Sequence, residues 1–96
     1  MLEIIDNKEL LRFEYRSNGI IAYLEYKYYK QKNIAFVHTV VPDALKGKGI
    51  ATALAEFAFK YAKQHKKMVM VYCPFVGAYI KKHPELQQQL NPEFYV

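Results

Sequence analysis

The chain has 96 residues, 52% of them hydrophobic and with nine Tyr and six Phe among them, which suits one packed domain over 1–96 and excludes a disordered chain. The net charge of +5 favours an anionic partner without choosing among nucleic acid, an anionic membrane surface and a phosphorylated cofactor. One cysteine, Cys73, excludes an intramolecular disulfide framework, no run approaches the ~18–20 apolar residues that span a bilayer, and residues 1–13 lack a basic leader before an apolar stretch; the expectation is a soluble, cytoplasmic protein.

From Leu10 to Val41 the hydrophobic period is two, the spacing that sends alternate side chains to opposite faces of a sheet. Leu11, Phe13 and Tyr15 share one face, and Arg12, Glu14 and Arg16 the other. Asn18-Gly19 is a hairpin signal, because both residues tolerate a positive φ. Over 20–30, Ala22, Leu24, Tyr26 and Tyr28 alternate with Tyr23, Glu25 and Lys27; a second turn is expected at Gln31-Lys32-Asn33. Residues 34–41 carry few charges and predict a central strand covered on both faces, with His38 on the face of Ile34, Phe36 and Val40. Residues 2–6 offer a short extra strand.

Pro42 ends this pattern, 43–48 reads as a loop, and beyond Gly49 the period becomes helical. Ile50, Leu54, Phe57, Ala58, Tyr61 and Ala62 form one stripe; Phe59 falls outside it. Lysines at 66 and 67 suit a helix C-terminus. Met68-Val69-Met70-Val71-Tyr72-Cys73 reads as a short buried strand, Pro74 as a first helical position, 75–82 as helix and 85–90 as a further turn or two. Only the helix between Val41 and Met68 is long enough to join parallel strands. The fold class is α/β: a mixed, mainly antiparallel sheet with flanking helices.

Chemistry concentrates in Lys46-Gly47-Lys48-Gly49-Ile50-Ala51, where a strand and a glycine-bearing loop lead into a helix. A helix start presents unpaired amides and a partial positive charge, and both bind anions. Gly47 and Gly49 let the backbone bend and approach a ligand, while Lys46 and Lys48 add charge. The spacing matches neither the P-loop nor the dinucleotide fingerprint. It fits an anion at a helix N-terminus without naming it, and reads equally as a chain turn at Gly47 and Gly49 with solvated lysines.

The segment resembles the pyrophosphate motif of the GNAT acetyltransferase superfamily, [Gln/Arg]-x-x-Gly-x-[Gly/Ala], with Lys46 in the first position. Two further blocks resemble those of a small subgroup of about ninety residues: His38-Thr39-Val40-Val41-Pro42, and Cys73-Pro74-Phe75-Val76 continuing through Tyr79, Ile80, Lys81, Lys82 and His83 to Pro84. Together they cover about residues 10–85. The resemblance implies a trimmed GNAT-like (acyl-CoA N-acyltransferase) fold that binds acetyl-CoA and acetylates an amine not identified by the sequence. It implies pyrophosphate on Lys46, Gly47, Lys48, Gly49, Ile50, Ala51 and Thr52, and pantetheine along Thr39, Val40 and Val41. Lysine for the first-position Arg or Gln keeps the charge and loses the planar fork.

The resemblance also places Cys73 near the thioester, as a nucleophile or a neighbour, where a helix start would stabilise a thiolate. His38 is a candidate base and Tyr79 a candidate general acid, one residue from the register of larger relatives. His83 is a candidate phosphate contact. Each also reads as a packing residue. No His/Cys/Asp/Glu spacing suggests a metal. Two other functions stay open: a CoA-binding module with little transferase activity, since acceptor-pocket helices are missing, and a nucleic-acid binder using Tyr23, Tyr26, Tyr28 and Tyr29, a set that reads first as a packing face. Oligomeric state is not legible.

Overall fold

A computed structural model describes residues 2–92 of the chain. Five strands form one sheet in the order β1-β2-β3-β4-β5: β1 (Ile5–Asn7), β2 (Arg12–Ser17), β3 (Ile20–Tyr29), β4 (Asn33–Val40) and β5 (Met68–Val71). The first four are an antiparallel meander, and β5 joins β4 in parallel after the crossover helix α1 (Ile50–Gln64). The β2–β3 turn has φ of 51° at Asn18 and 79° at Gly19, the two positive values a tight hairpin needs. Helix α2 (Pro74–Lys82) and a 3-10 segment (Pro84–Gln89) complete the described chain, with Pro at the start of each, where no amide is needed.

Phe13, Ala22, Leu24, Tyr26, Ile34, Phe36 and Val69 face α1 and are buried. The residue outside the helical stripe is explained here: Phe59 meets Phe36 of the sheet edge-on at 5.5 Å and stacks on Tyr79 of α2 at 6.2 Å. Helix α1 therefore buries two stripes, one against the sheet and one against α2. Both helices lie on the same side of the sheet.

Strand β4 differs from its expected alternation. Its ladder with β3 runs Tyr28↔Ile34, Lys27↔Ala35, Tyr26↔Phe36 and then Glu25↔His38, so Val37 is an extra residue in a β-bulge. One unpaired residue shifts every later side chain to the opposite face. His38 and Val40 consequently leave the face of Ile34 and Phe36, and Thr39 takes it. Coverage on both faces holds for Asn33–Phe36 only; His38 and Val40 are exposed.

Candidate functional site

The ladder between β4 and β5 ends at Phe36↔Val71. There the amides of Tyr72 and Cys73 both donate to the Phe36 carbonyl, at 3.0 and 3.1 Å, and the chain turns into α2. Strand β4 continues without β5 beside it, so a gap opens along Val37–Val40. Thr39, brought to the helix side by the bulge, bridges this gap: its Oγ1 lies 3.2 Å from Cys73 Sγ. Cys73 is 3% exposed, serves as the N-cap of α2 and lines a trough of about 340 Å³ with Tyr72, Gly77, Ala78 and Lys81.

Beyond β4 a 3-10 turn (Asp43–Leu45) leads to the glycine loop. Gly47 and Gly49 have φ of 78° and 75°, a region that side chains with a Cβ rarely adopt. Gly49 is the N-cap of α1, and no side chain caps the helix; the first intrahelical bond is Ala53 N–H to Gly49 O at 3.0 Å. The amides of Ile50, Ala51 and Thr52 precede that bond and point out of the helix start. They open on a cavity of about 270 Å³ lined by Val41, Leu45, Lys46, Gly47, Gly49, Ile50, Ala51 and Thr52. A Cβ built on Gly47 or Gly49 meets nothing within 4 Å, so both glycines border open space. No acidic residue occupies the first turn of α1. The residues present thus fit a phosphorylated group.

Lys46 Nζ lies 2.9 Å from Asp43 Oδ1, both exposed, and this hydrogen bond and charge hold the Asp43 carboxyl below its usual range. Lys48 is exposed on the loop and Val40 lies on the other face of the sheet.

The remaining candidates lie elsewhere. His38 is exposed on the helix-free face of the sheet, across β4 from Thr39. Tyr79 is turned toward α1, six positions along from Cys73 and roughly 240° around α2 at 3.6 residues per turn. It packs on Phe59 and on the His83 imidazole at 4.4 Å, in a groove with Lys60, Lys63 and Glu85. Burial pushes the Tyr79 hydroxyl up, and the charges of Glu56 and Glu85 add to it. His83 Nδ1 is 3.7 Å from Glu85 Oε2 in that same groove. The structure therefore brings Thr39 to Cys73 and gathers the loop residues, while Tyr79 and His83 form a separate pair. Among the described residues no cluster of His, Cys, Asp or Glu could hold a metal, and no helix is long and apolar enough to cross a membrane.

The tyrosines are divided between faces. Tyr26 is buried and donates to Asp6 Oδ1 at 2.6 Å, and Tyr28 shares a 2.7 Å hydrogen bond with Tyr61. Burial, then the bond to Tyr61, pushes the Tyr28 hydroxyl up to about 12. Tyr23 lies on the opposite face, under the Arg12 guanidinium.

Comparison with known proteins places the fold in a family. The model of the GCN5-related N-acetyltransferase family fits residues 12–90, from β2 through the glycine loop and α2 to the end of the 3-10 segment. The chain belongs to that family. Among curated relatives it is 31% identical over 95 residues to Protein NATD1 of Xenopus tropicalis, covering 95% of this chain and 87% of that one. It is 33% identical over 85 residues to Protein NATD1 of Homo sapiens, covering 84% and 75%. A GCN5-like protein of Staphylococcus aureus, solved by NMR in solution, shares the fold with a TM-score of 0.72 at 23% identity, over 94% of this chain and 88% of that one. The five-stranded GNAT fold is thus established for this family member.

The structure also shows a residue that alternation alone passed over. Glu14, expected on a polar face with Arg12 and Arg16, is fully buried between them. The Arg-x-Glu-x-Arg spacing was the available signal, since it sets one carboxylate between two guanidinium groups on a strand face.

Proposed function

We propose that the protein is an acetyl-CoA-dependent N-acetyltransferase that passes the acetyl group through Cys73 to an amine. The observation that carries this reading is the placement of two features on one strand. At its end β4 leads into the uncapped start of α1; one step before, its Thr39 touches Cys73 across the gap. A phosphate-binding cradle and a thiol are joined by a stretch of strand edge that β5 leaves free.

In this reading the amides of Ile50, Ala51 and Thr52 hold the pyrophosphate, and Gly47 and Gly49 let it approach. The free edge of β4 from Val37 to Val40 pairs with the pantetheine amides. Thr39 fixes the rotamer of the Cys73 side chain. The Cys73 sulfur forms a bond to the acetyl carbonyl as the thioester C–S bond breaks, and the proton given up by Cys73 ends on the departing thiol. A deprotonated amine then attacks acetyl-Cys73; the C–N bond forms, the Cys73 C–S bond breaks, and a proton from the amine returns to Cys73. His38, on the open side of the same gap, accepts the amine's first proton. Tyr79 and His83 stand apart from this route.

The helix-free sheet face beside His38 also favours a second reading, a CoA-binding module without turnover, because sheet residues alone would have to hold an acceptor. One experiment separates them. Calorimetric titration with acetyl-CoA should show one-to-one binding, and intact mass should then show a single acetyl adduct that Cys73→Ala loses without losing binding. Binding with neither adduct nor acetylation of any amine supports the module; absence of binding at millimolar acetyl-CoA overturns both.

A further inference from the structure

Cations collect at the end of the molecule far from the glycine cradle, which α1 separates from it by its 15 residues, about 22 Å of helix. Strand β3 and its turn into β4 carry Lys27, Lys30 and Lys32, and the turn from α1 into β5 carries Lys66 and Lys67. The Met68 amide donates to the Lys32 carbonyl at 2.7 Å, and Lys67 Nζ donates to the Gln31 carbonyl, so the two turns form one surface. Neither 26–42 nor 57–84 contains an Asp or Glu. The neighbouring Asp6 accepts from Tyr26 and pairs with Lys8 at 3.1 Å. Lys27, Lys30, Lys32 and Lys66 are exposed, and among the described residues none of the four forms an ion pair.

Two aromatic rings stand among these cations. Tyr28 and Tyr29 are 46% and 42% exposed; Tyr28 lies on the helix side, where its bond to Tyr61 fixes the ring, and Tyr29 on the other. Lys67 Nζ is 5.3 Å from the Tyr28 ring centroid and Lys30 Nζ 5.4 Å from that of Tyr29. Each turn also holds a lysine in the left-handed region, with φ of 50° at Lys30 and 56° at Lys66. Glycine adopts that conformation without strain and lysine does not. The chain bears strain at two positions where the side chain adds an exposed cation.

We infer that this end binds single-stranded nucleic acid, with phosphates on Lys27, Lys30, Lys32 and Lys66 and bases against the Tyr28 and Tyr29 rings. Tyr23 and Tyr26 take no part, one lying under Arg12 and the other buried. The exposed large apolar side chains in these two segments are Tyr28, Tyr29 and Met68, so a bilayer would gain little aliphatic contact here, whereas a base of any type stacks on a ring. Contacts between lysine and phosphate carry no sequence information, so binding tolerates any sequence. This inference does not rest on acetyl transfer, because the cradle lies at the other end of α1.

The test is fluorescence anisotropy with labelled oligo-dT and oligo-rU of about twelve nucleotides, and with inorganic polyphosphate as a competitor that has no bases. Affinity for the strands should fall about fiftyfold between about 50 and 200 mM salt, the dependence given by about four phosphate contacts. Lys30→Gly combined with Lys66→Gly should about halve the slope of log affinity against log salt, with Tm unchanged or raised because glycine relieves the backbone. Tyr29→Leu should weaken strand binding at least about fivefold and leave polyphosphate binding unchanged. Tighter binding of oligo-rU assigns the surface to RNA and of oligo-dT to DNA, and either bears out the inference. Four results overturn it: no strand binding at about 50 mM salt, affinity unchanged in the double glycine variant, polyphosphate or phosphatidylserine vesicles bound as tightly as the strands, or displacement of the strand by acetyl-CoA. The last would put the strand in the cradle, and binding there without any adduct at Cys73 would bear only on the transferase reading.

Discussion

Gly49 shows how one residue can bear on both backbone conformation and the proposed phosphate approach. Its φ of 75° places it where an added Cβ costs roughly 1–2 kcal/mol, and the same Cβ would project into the open space of the cradle rather than into protein. Gly49→Ala is therefore expected to lower stability by that modest amount and acetyl-CoA affinity by at least about tenfold, the larger effect coming from blocked phosphate approach. Calorimetry and a thermal melt on the same sample check this; unchanged affinity would leave the loop as a turn. The glycines were legible from sequence because the residue type carries the conformation. The Thr39–Cys73 contact was not, since 34 residues separate the partners. Two residues of a block that looked like one cofactor-binding run, Thr39 and Val40, end on opposite faces.

Strand β4 is the element on which the site turns. With strict alternation His38 would lie among the core residues and Thr39 would face away from Cys73. The extra residue at Val37 reverses both placements. Deleting Val37 removes the bulge but keeps the pairs Tyr26↔Phe36, Glu25↔His38 and Leu24↔Thr39, so His38 stays on the open side and Thr39 on the helix side. The expected outcome is a folded protein with far-UV circular dichroism retained and Cys73 still acetylated. Loss of the adduct would show that the local bend of the bulge, and not only the face of Thr39, positions the thiol. Helix α1 makes a related point. Its sheet-facing stripe was readable from the 3.6-residue period, but Phe59 made sense only once α2 was seen to cover a second stripe. Period reports that a face is buried; it does not report how many partners bury it.

At the scale of the molecule, the two sides of the sheet solve different problems. The helix side holds the apolar core and the cradle. The other side stabilises itself with the Arg12–Glu14–Arg16 network instead of with a helix. Burial pushes the Glu14 carboxyl up, but hydrogen bonds from Arg12, Arg16 and Asn7 and the charge of Arg12 together outweigh it and hold it below its usual range. A carboxyl lowered on folding contributes stability that is present above the unfolded pKa and lost as the pH falls through the folded one. Glu14→Gln is expected to cost about 3 kcal/mol at neutral pH, because it leaves two guanidinium groups without their counter-charge. The gap in Tm between variant and parent should close as the pH falls below about 4. A gap that stays constant from pH 7 to about pH 3 would mean the network contributes through packing rather than charge.

Several features of this protein follow from local sequence. The period of two over the first half, Asn18-Gly19, Pro74 at a helix start and the change of period at Gly49 set the strands, the hairpin, the crossover helix and its glycine-bearing start. Each depends on residues within a few positions of one another, where backbone preference and alternation act directly. Three features depend on the tertiary structure. The bulge at Val37 arises from matching β4 to β3; the Thr39–Cys73 contact needs β4 and β5 to part after Phe36; and Glu14 becomes buried only when β1 and β3 close on either side of β2. All three are consequences of pairing between distant segments. A one-residue offset in that pairing changes which face a side chain occupies without changing any local propensity.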